Sequence, residues 1–365
     1  MAVAAVLGAS AIVTALVATR DGGKPHILGG PHILVYSESA GPNSTDTTIW
    51  RANIDGTHAV RLTKGSNPKI SPDPWGSDPE ISPDGRLVAL VRESCASRPN
   101  SSSYRTWRMC WSSTPQSLTC CEPRLYVARA SDGKVRRIVY ATPYGPSSLT
   151  WAPDSRYLAY RAGNGLYVLD FDSGAKRLVA TGQLISPSFS PDSRFVVYGR
   201  SIDTYSEHCD LYVADLASGR SRRITHFGDV YAAAWGPHVI AFSREKERGV
   251  WLVDRSGNHL SRFAGKENAT YGYYPAFWSA DGKKLLLFEC CNVAFRIIEV
   301  PSGRVILTGN GRLLGLSRDG KVALVNACDG DTSPPTGRVM TVPLDGGSAR
   351  AVVPKDGICR ASWTG

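Results

Sequence analysis

Nine cysteines and seven histidines are the residues of this 365-residue chain with the widest chemical repertoire. Their spacing argues against most of it. The histidines stand at 26, 32, 58, 208, 226, 238 and 259, and no two share the His-x-x-x-His spacing that puts two imidazoles on one metal. No Gly-x-Ser-x-Gly elbow presents a nucleophilic serine. Cys120-Cys121 and Cys290-Cys291 are adjacent, whereas tetrahedral zinc sites use spaced pairs. Cys328-Asp329-Gly330-Asp331 lacks the regular alternation of oxygen ligands in a calcium loop. No catalytic residue, metal or cofactor is therefore assigned.

The cysteines fit oxidation better than ligation. Nine is a high count for a cytosolic β-protein, and disulfides persist in oxidising compartments. The candidates are Cys95, Cys110, Cys120, Cys121, Cys290, Cys291, Cys328 and Cys359. Cys328 with Cys359 is the preferred pair, and one or more pairs within the first four would pin the segment around them. Connectivity cannot be read from spacing. The count is odd, so at least one thiol is free or intermolecular. The competing reading is a set of small buried thiols.

Arg98, Tyr104, Arg105, Trp107, Arg108 and Trp111 cluster in the segment from Cys95 to Pro123. Arginine and aromatic side chains are the types that dominate interface hot spots. Residues 86–137 hold ten basic and three acidic residues, in a chain whose net charge is +10. A local positive field favours an acidic partner. The alternatives are a cover that packs its own tryptophans inward and a solvated basic face.

The elements that position this segment come from a repeat. A turn half recurs six times, at Ser82-Pro83-Asp84-Gly85, Ala152-Pro153-Asp154-Ser155, Ser190-Pro191-Asp192-Ser193, Gly236-Pro237-His238, Ser279-Ala280-Asp281-Gly282 and Ser317-Arg318-Asp319-Gly320. Each follows a bulky apolar residue and precedes a β-rich run. A second half, such as Leu211-Tyr212-Val213-Ala214-Asp215 with Ser218-Gly219, recurs seven times and leaves as a basic-aliphatic strand such as Arg223-Ile224-Thr225. Strand repeats of roughly 40–50 residues signal a β-propeller. The expectation is an all-β propeller of seven blades with four antiparallel strands each, with six blades as the alternative. The first repeat lacks its first strand, and Ala361-Ser362-Trp363-Thr364 reads like that strand. The ring is therefore expected to close by the C-terminal strand pairing with blade one. The recurring aspartates Asp55, Asp132, Asp170, Asp172, Asp215 and Asp254 read as turn residues.

The Ser-Pro-Asp-Gly turn followed by Tyr-Val-x-Asp and Arg-Ile-Thr resembles the TolB-like, WD-repeat-like propeller family, over about residues 31–365. The resemblance implies the fold and a general role in binding. Family members include periplasmic scaffold proteins and propellers attached to peptidases. The motif residues themselves are turn and packing residues and imply no particular partner.

Residues 2–19 are almost wholly small or apolar, about the length needed to cross a bilayer as a helix. Residues 1–25 are expected to be a signal peptide or membrane anchor with a short linker, and residues 26–365 a single propeller domain. The function expected is an extracytoplasmic protein-binding or ligand-binding scaffold of the cell envelope, not an enzyme, acting as a monomer through the insert-bearing, cysteine-rich face. Its partner is a protein or an acidic envelope component. Nucleic acid is not expected, and membrane contact runs through residues 1–25 if they are uncleaved. Two alternatives remain: a propeller enzyme of lactonase, lyase or hydrolase type with its site at the central channel mouth, and a structural envelope protein.

Overall fold

The computed structural model describes residues 33–39, 47–63, 79–97, 109–114, 117–140, 146–201, 209–247, 249–264, 273–289, 294–317, 319–326, 338–345, 347–352 and 360–364. The predicted leader at 1–25 lies outside them. Among the described residues no helix is long and apolar enough to cross a membrane.

The turn half of the repeat works as its residue types require. Ser82 Oγ donates to Asp84 Oδ1 at 2.6 Å and accepts from the Leu87 amide at 2.9 Å, so one side chain closes the hairpin. Ser190, Ser279 and Ser317 repeat both bonds. The fourth turn position has positive φ: +72° at Gly85, +62° at Ser155 and +58° at Ser193. Serine at this position does more than turn the chain. Ser155 Oγ accepts from the Asp84 amide and Ser193 Oγ from the Asp154 amide, both at 3.0 Å, which ties each turn to the next. The bulky residue before the turn is a second tie: Trp151 Nε1 donates to the Glu80 carbonyl, and Trp278 Nε1 to that of Ala234.

These hairpins stack as antiparallel sheets, and the expected architecture needs a correction. Neither seven nor six uniform four-stranded blades describes the strand pairing, which gives six sheets among the described residues. Five of them are blades of four or five strands, and the sixth is one continuous sheet of eight. The five-stranded sheet gains Met109–Thr114 from the insert. The eight-stranded sheet spans residues 184–264 and is continuous because Cys209 pairs with Val230 across its middle. Its two halves pack on each other through Val197, Leu211, Ile240 and Phe242.

Strand pairing does not close a ring either. Arg360–Trp363 lies antiparallel to Ile33–Ser39, with Leu34 opposite Trp363 and Ser37 opposite Arg360. That pairing unites the chain's two ends within one sheet, and successive sheets meet through side chains. Leu34, Tyr36 and Trp363 pack on Val322, Leu324 and Val339 of the sheet before. Val35 and Ile49 pack on Ile81, Val88 and Leu90 of the sheet after. The physical reason is that a twisted four-stranded sheet has two apolar faces to bury and only two edges to pair.

The aspartates of the second half are held by their turns. The Arg156 guanidinium, at 2.9–3.0 Å, holds the Asp170 carboxyl well below the usual carboxylate range; burial opposes this, and the Ser173 hydroxyl assists. In the turn half, the Ser279 hydroxyl lowers Asp281 likewise, against partial burial. A depressed folded pKa contributes stability that is present above the unfolded value, about 3.9 for Asp, and lost as pH falls through the folded one. The thermal midpoint is therefore expected to drop as pH is lowered from about 4. Asp170→Asn should flatten part of that drop in melts between pH 5 and 3; an unchanged slope would remove Asp170 from the account.

Candidate binding face

Much of the segment from Cys95 to Pro123 is strand, an insert into its sheet. Leu87–Ser97 and Ser117–Arg129 are 11 and 13 residues long, against six or seven for most other strands. Their register runs without interruption from Leu87↔Arg129 to Ser97↔Thr119. Met109–Thr114 then pairs with the far end of Ser117–Arg129. The insert is thus a three-stranded tongue growing out of a blade. Thr, Cys, Trp and Leu at 109–121 carried the β-propensity that makes this possible.

Of the predicted binding residues, Trp111 stands on the added strand opposite Thr119. Arg98, Tyr104, Arg105, Trp107 and Arg108 lie outside the described residues, as do Cys290, Cys291, Cys328 and Cys359 and hence the Cys328–Cys359 pairing. Cys95, Cys110, Cys120 and Cys121 are all on strands of the tongue.

Other sheets contribute arginines at the corresponding strand ends. Arg161 and Arg200 are the last residue but one, and Arg244 the last, of the second strands of their repeats. Arg244 is only 10% exposed and is paired with the fully buried Asp229, its Nε 2.9 Å from Oδ1. Its guanidinium lies 4.0 Å over the Phe227 ring and 5.2 Å from the Trp251 ring, a cation–π arrangement that favours a desolvated cation. Arg200 is exposed and lies 5.9 Å over Tyr212. Arg161 is half-buried, and its Nε makes no hydrogen bond among the described residues. Burial pulls its pKa below the usual value, with Cys209 acting in the opposite sense. Arginine nonetheless remains charged. Sequence reasoning missed these residues. The available signal was a basic residue within two positions of an aromatic in three second strands: Tyr160-Arg161, Tyr198-Gly199-Arg200 and Phe242-Ser243-Arg244.

Beside Arg223, Asp210 anchors the adjoining crossover. Its carboxylate is fully buried and accepts from Thr225 Oγ1 at 2.8 Å and from the Phe227 and Gly228 amides at 2.8 and 3.3 Å. It also accepts from Arg223 Nη2. The innermost strands add aromatic surface. Tyr231 and Tyr274, on neighbouring inner strands, have ring centroids 4.6 Å apart, and Tyr231 is 42% exposed. Among the described residues no three His, Cys, Asp or Glu side chains gather to hold a metal. A separate cleft of about 450 Å³ lies between the first sheet and the insert sheet, lined by Leu62, Thr63, Tyr126, Asp132 and Lys134. It is formed at the outer hairpin, away from the tongue.

No family model matches the chain. Among curated proteins, dipeptidyl-peptidase 5 of Porphyromonas gingivalis is 24% identical over a stretch covering 36% of this chain and 24% of that protein. The chain therefore spans about a quarter of that relative's length. Among solved structures, an oligogalacturonate lyase in complex with manganese superposes with a TM-score of 0.55 at 14% identity, covering 89% of this chain and 85% of the other. TolB from Acinetobacter baumannii gives 0.50 at 14% identity, with 92% and 83% covered. The tricorn protease gives 0.58 at 10% identity, with 93% and 36% covered. Enzymes and TolB thus share this architecture, and at these identities the likeness shows fold alone. The fold is a β-propeller like that of TolB.

Proposed function

We propose that this chain is a binding propeller of the cell envelope, exported or membrane-anchored, that engages a protein or an acidic envelope component through the face bearing the tongue. The observation that carries the reading is the tongue itself: one sheet is extended by a continuous ladder and an extra strand, in the most basic stretch of the chain. Binding residues concentrate where a rigid scaffold projects variable segments. Likeness to TolB, an apolar run at 2–19 and nine cysteines support an extracytoplasmic setting.

The test is recovery of partners from envelope extracts by immobilised wild-type protein and by an Arg105→Ala/Arg108→Ala variant. Interface arginines that carry binding cost at least about 1 kcal/mol each on truncation, so the double variant is expected to lose about thirty-fold or more in affinity. Its melting temperature should match wild type. Equal recovery by the two proteins would move the binding surface off the segment from Cys95 to Pro123.

A further inference from the structure

The tongue places four cysteines at register positions that decide how they pair. Cys95 stands opposite Cys121, and Cys110 opposite Cys120. At the inner end of the ladder the Ala130 amide donates to the Arg86 carbonyl at 2.8 Å. Residues 86 and 130 continue the same register, so they form a hydrogen-bonded pair. Antiparallel ladders alternate hydrogen-bonded and non-hydrogen-bonded pairs. Counting outward along the unshifted register makes Cys95↔Cys121 a non-hydrogen-bonded pair.

The same alternation fixes the other pair. The Arg129 amide donates to the Lys134 carbonyl, on the side of the strand away from Leu87–Ser97. Odd-numbered residues of Ser117–Arg129 therefore bond on that side, where Met109–Thr114 also lies. Cys120 bonds on the opposite side, which leaves Cys110↔Cys120 non-hydrogen-bonded as well. In such pairs the Cα atoms approach to about 4.5 Å, the closest approach a sheet offers and within the range a disulfide spans. Successive residues of a strand fall on opposite faces. Cys95 and Cys121 thus share one face of the tongue, and Cys110 and Cys120 the other. This separation argues against a single four-cysteine metal site and against the crossed pairing.

We propose that the tongue carries two cross-strand disulfides, Cys95–Cys121 and Cys110–Cys120, one on each face. Each forms by exchange with a small or protein disulfide. One thiolate attacks it and releases one of its sulfurs as a thiolate; the opposite thiolate then attacks the mixed disulfide and releases the other. Both protons and two electrons leave on the oxidant as its two thiols. The first bond joins the two long strands of the tongue, and the second locks the added strand in place. A rigid tongue is a pre-organised one, which lowers the ordering cost of any interface it makes.

The experiment oxidises the reduced full-length protein with glutathione disulfide, alkylates it under denaturing conditions and maps tryptic peptides. Residues 93–105 are expected joined to 109–124, lighter by four hydrogens than the two thiol peptides together. Fragmentation between Cys120 and Cys121 should leave Cys95 attached to Cys121. Cys95→Ser/Cys121→Ser and Cys110→Ser/Cys120→Ser should each retain one tongue cross-link, and Cys95→Ser/Cys120→Ser none. Alkylation of all four wild-type cysteines, or Cys95 attached to Cys120, would overturn the proposal. Thiol counting needs no binding partner, so its outcome is separable from that of the partner-recovery experiment.

Discussion

Removal of residues 360–365 is expected to abolish cooperative folding. Arg360–Trp363 is the innermost strand of the first sheet, and its loss strips one edge of Ile33–Ser39. Ala361 and Trp363 are buried at 4% and 8% exposure. The Trp363 indole lies against the Gly315 backbone, where a Cβ would come within 2.8 Å of Nε1. Thr364 ties the end down twice: its amide donates to the Ile33 carbonyl at 3.0 Å, and its Oγ1 accepts from the Ile33 amide at 2.9 Å. Ser362 Oγ reaches the next sheet, accepting from the Ile81 amide and donating to Glu80 Oε2, both at 3.2 Å. A buried Trp alone is worth about 3–5 kcal/mol against Ala. A whole domain is stable by about 5–15 kcal/mol. Losing the indole, the strand ladder and both ties together consumes that margin and exposes an aggregation-prone edge. Size-exclusion chromatography and thermal melts of the truncated chain should show aggregate and no sharp transition. A monomer with a melting temperature within a few degrees of wild type would contradict this account. Trp363→Ala should show a graded version of the same loss.

Asp210→Ala is expected to cost about 3–5 kcal/mol in urea unfolding, in line with removing one partner of a buried charge pair. The carboxylate is fully buried and holds a hydroxyl, two backbone amides and a guanidinium at once. Truncation leaves the two amides unpaired at the crossover into Val230–Trp235. Asp210→Asn keeps one acceptor oxygen and should recover part of the loss. Asp84→Ala removes a partly exposed pairing with Arg86 and two hydrogen bonds of its turn, and should cost less, about 1–2 kcal/mol. The ordering is the check: equal losses at 84 and 210 would mean that burial is not what sets the cost.

Much of this architecture was legible before any coordinates. Ser82, Asp84 and Gly85 announced a hairpin because a hydroxyl, a carboxylate and a positive-φ position are what that turn consumes, and the structure shows all three in use. The candidate site was less legible. Arg98, Arg105 and Trp111 stood out by type, but the ladder that carries Trp111 did not, because Thr119-Cys120-Cys121-Glu122 lacks the apolar alternation of a half-buried strand. Arg161, Arg200 and Arg244 were invisible because one basic residue per repeat reads as a polar strand end until the sheets are stacked.

The sequence by itself determined the repeat, its strands and turns, and the C-terminal segment that completes the first sheet. These depend on neighbours within a few residues or on a pattern repeated along the chain. Only the tertiary structure decided how strands join into sheets. The eight-stranded sheet hangs on one pairing between Cys209 and Val230, and the tongue on a register running to Ser97↔Thr119. Such pairings depend on backbone groups, which every residue carries alike, and on close approach between segments far apart in the chain. The cysteine partners in the tongue were decided at the same level. Spacing left all connectivities open, and strand register with its two-residue alternation leaves one.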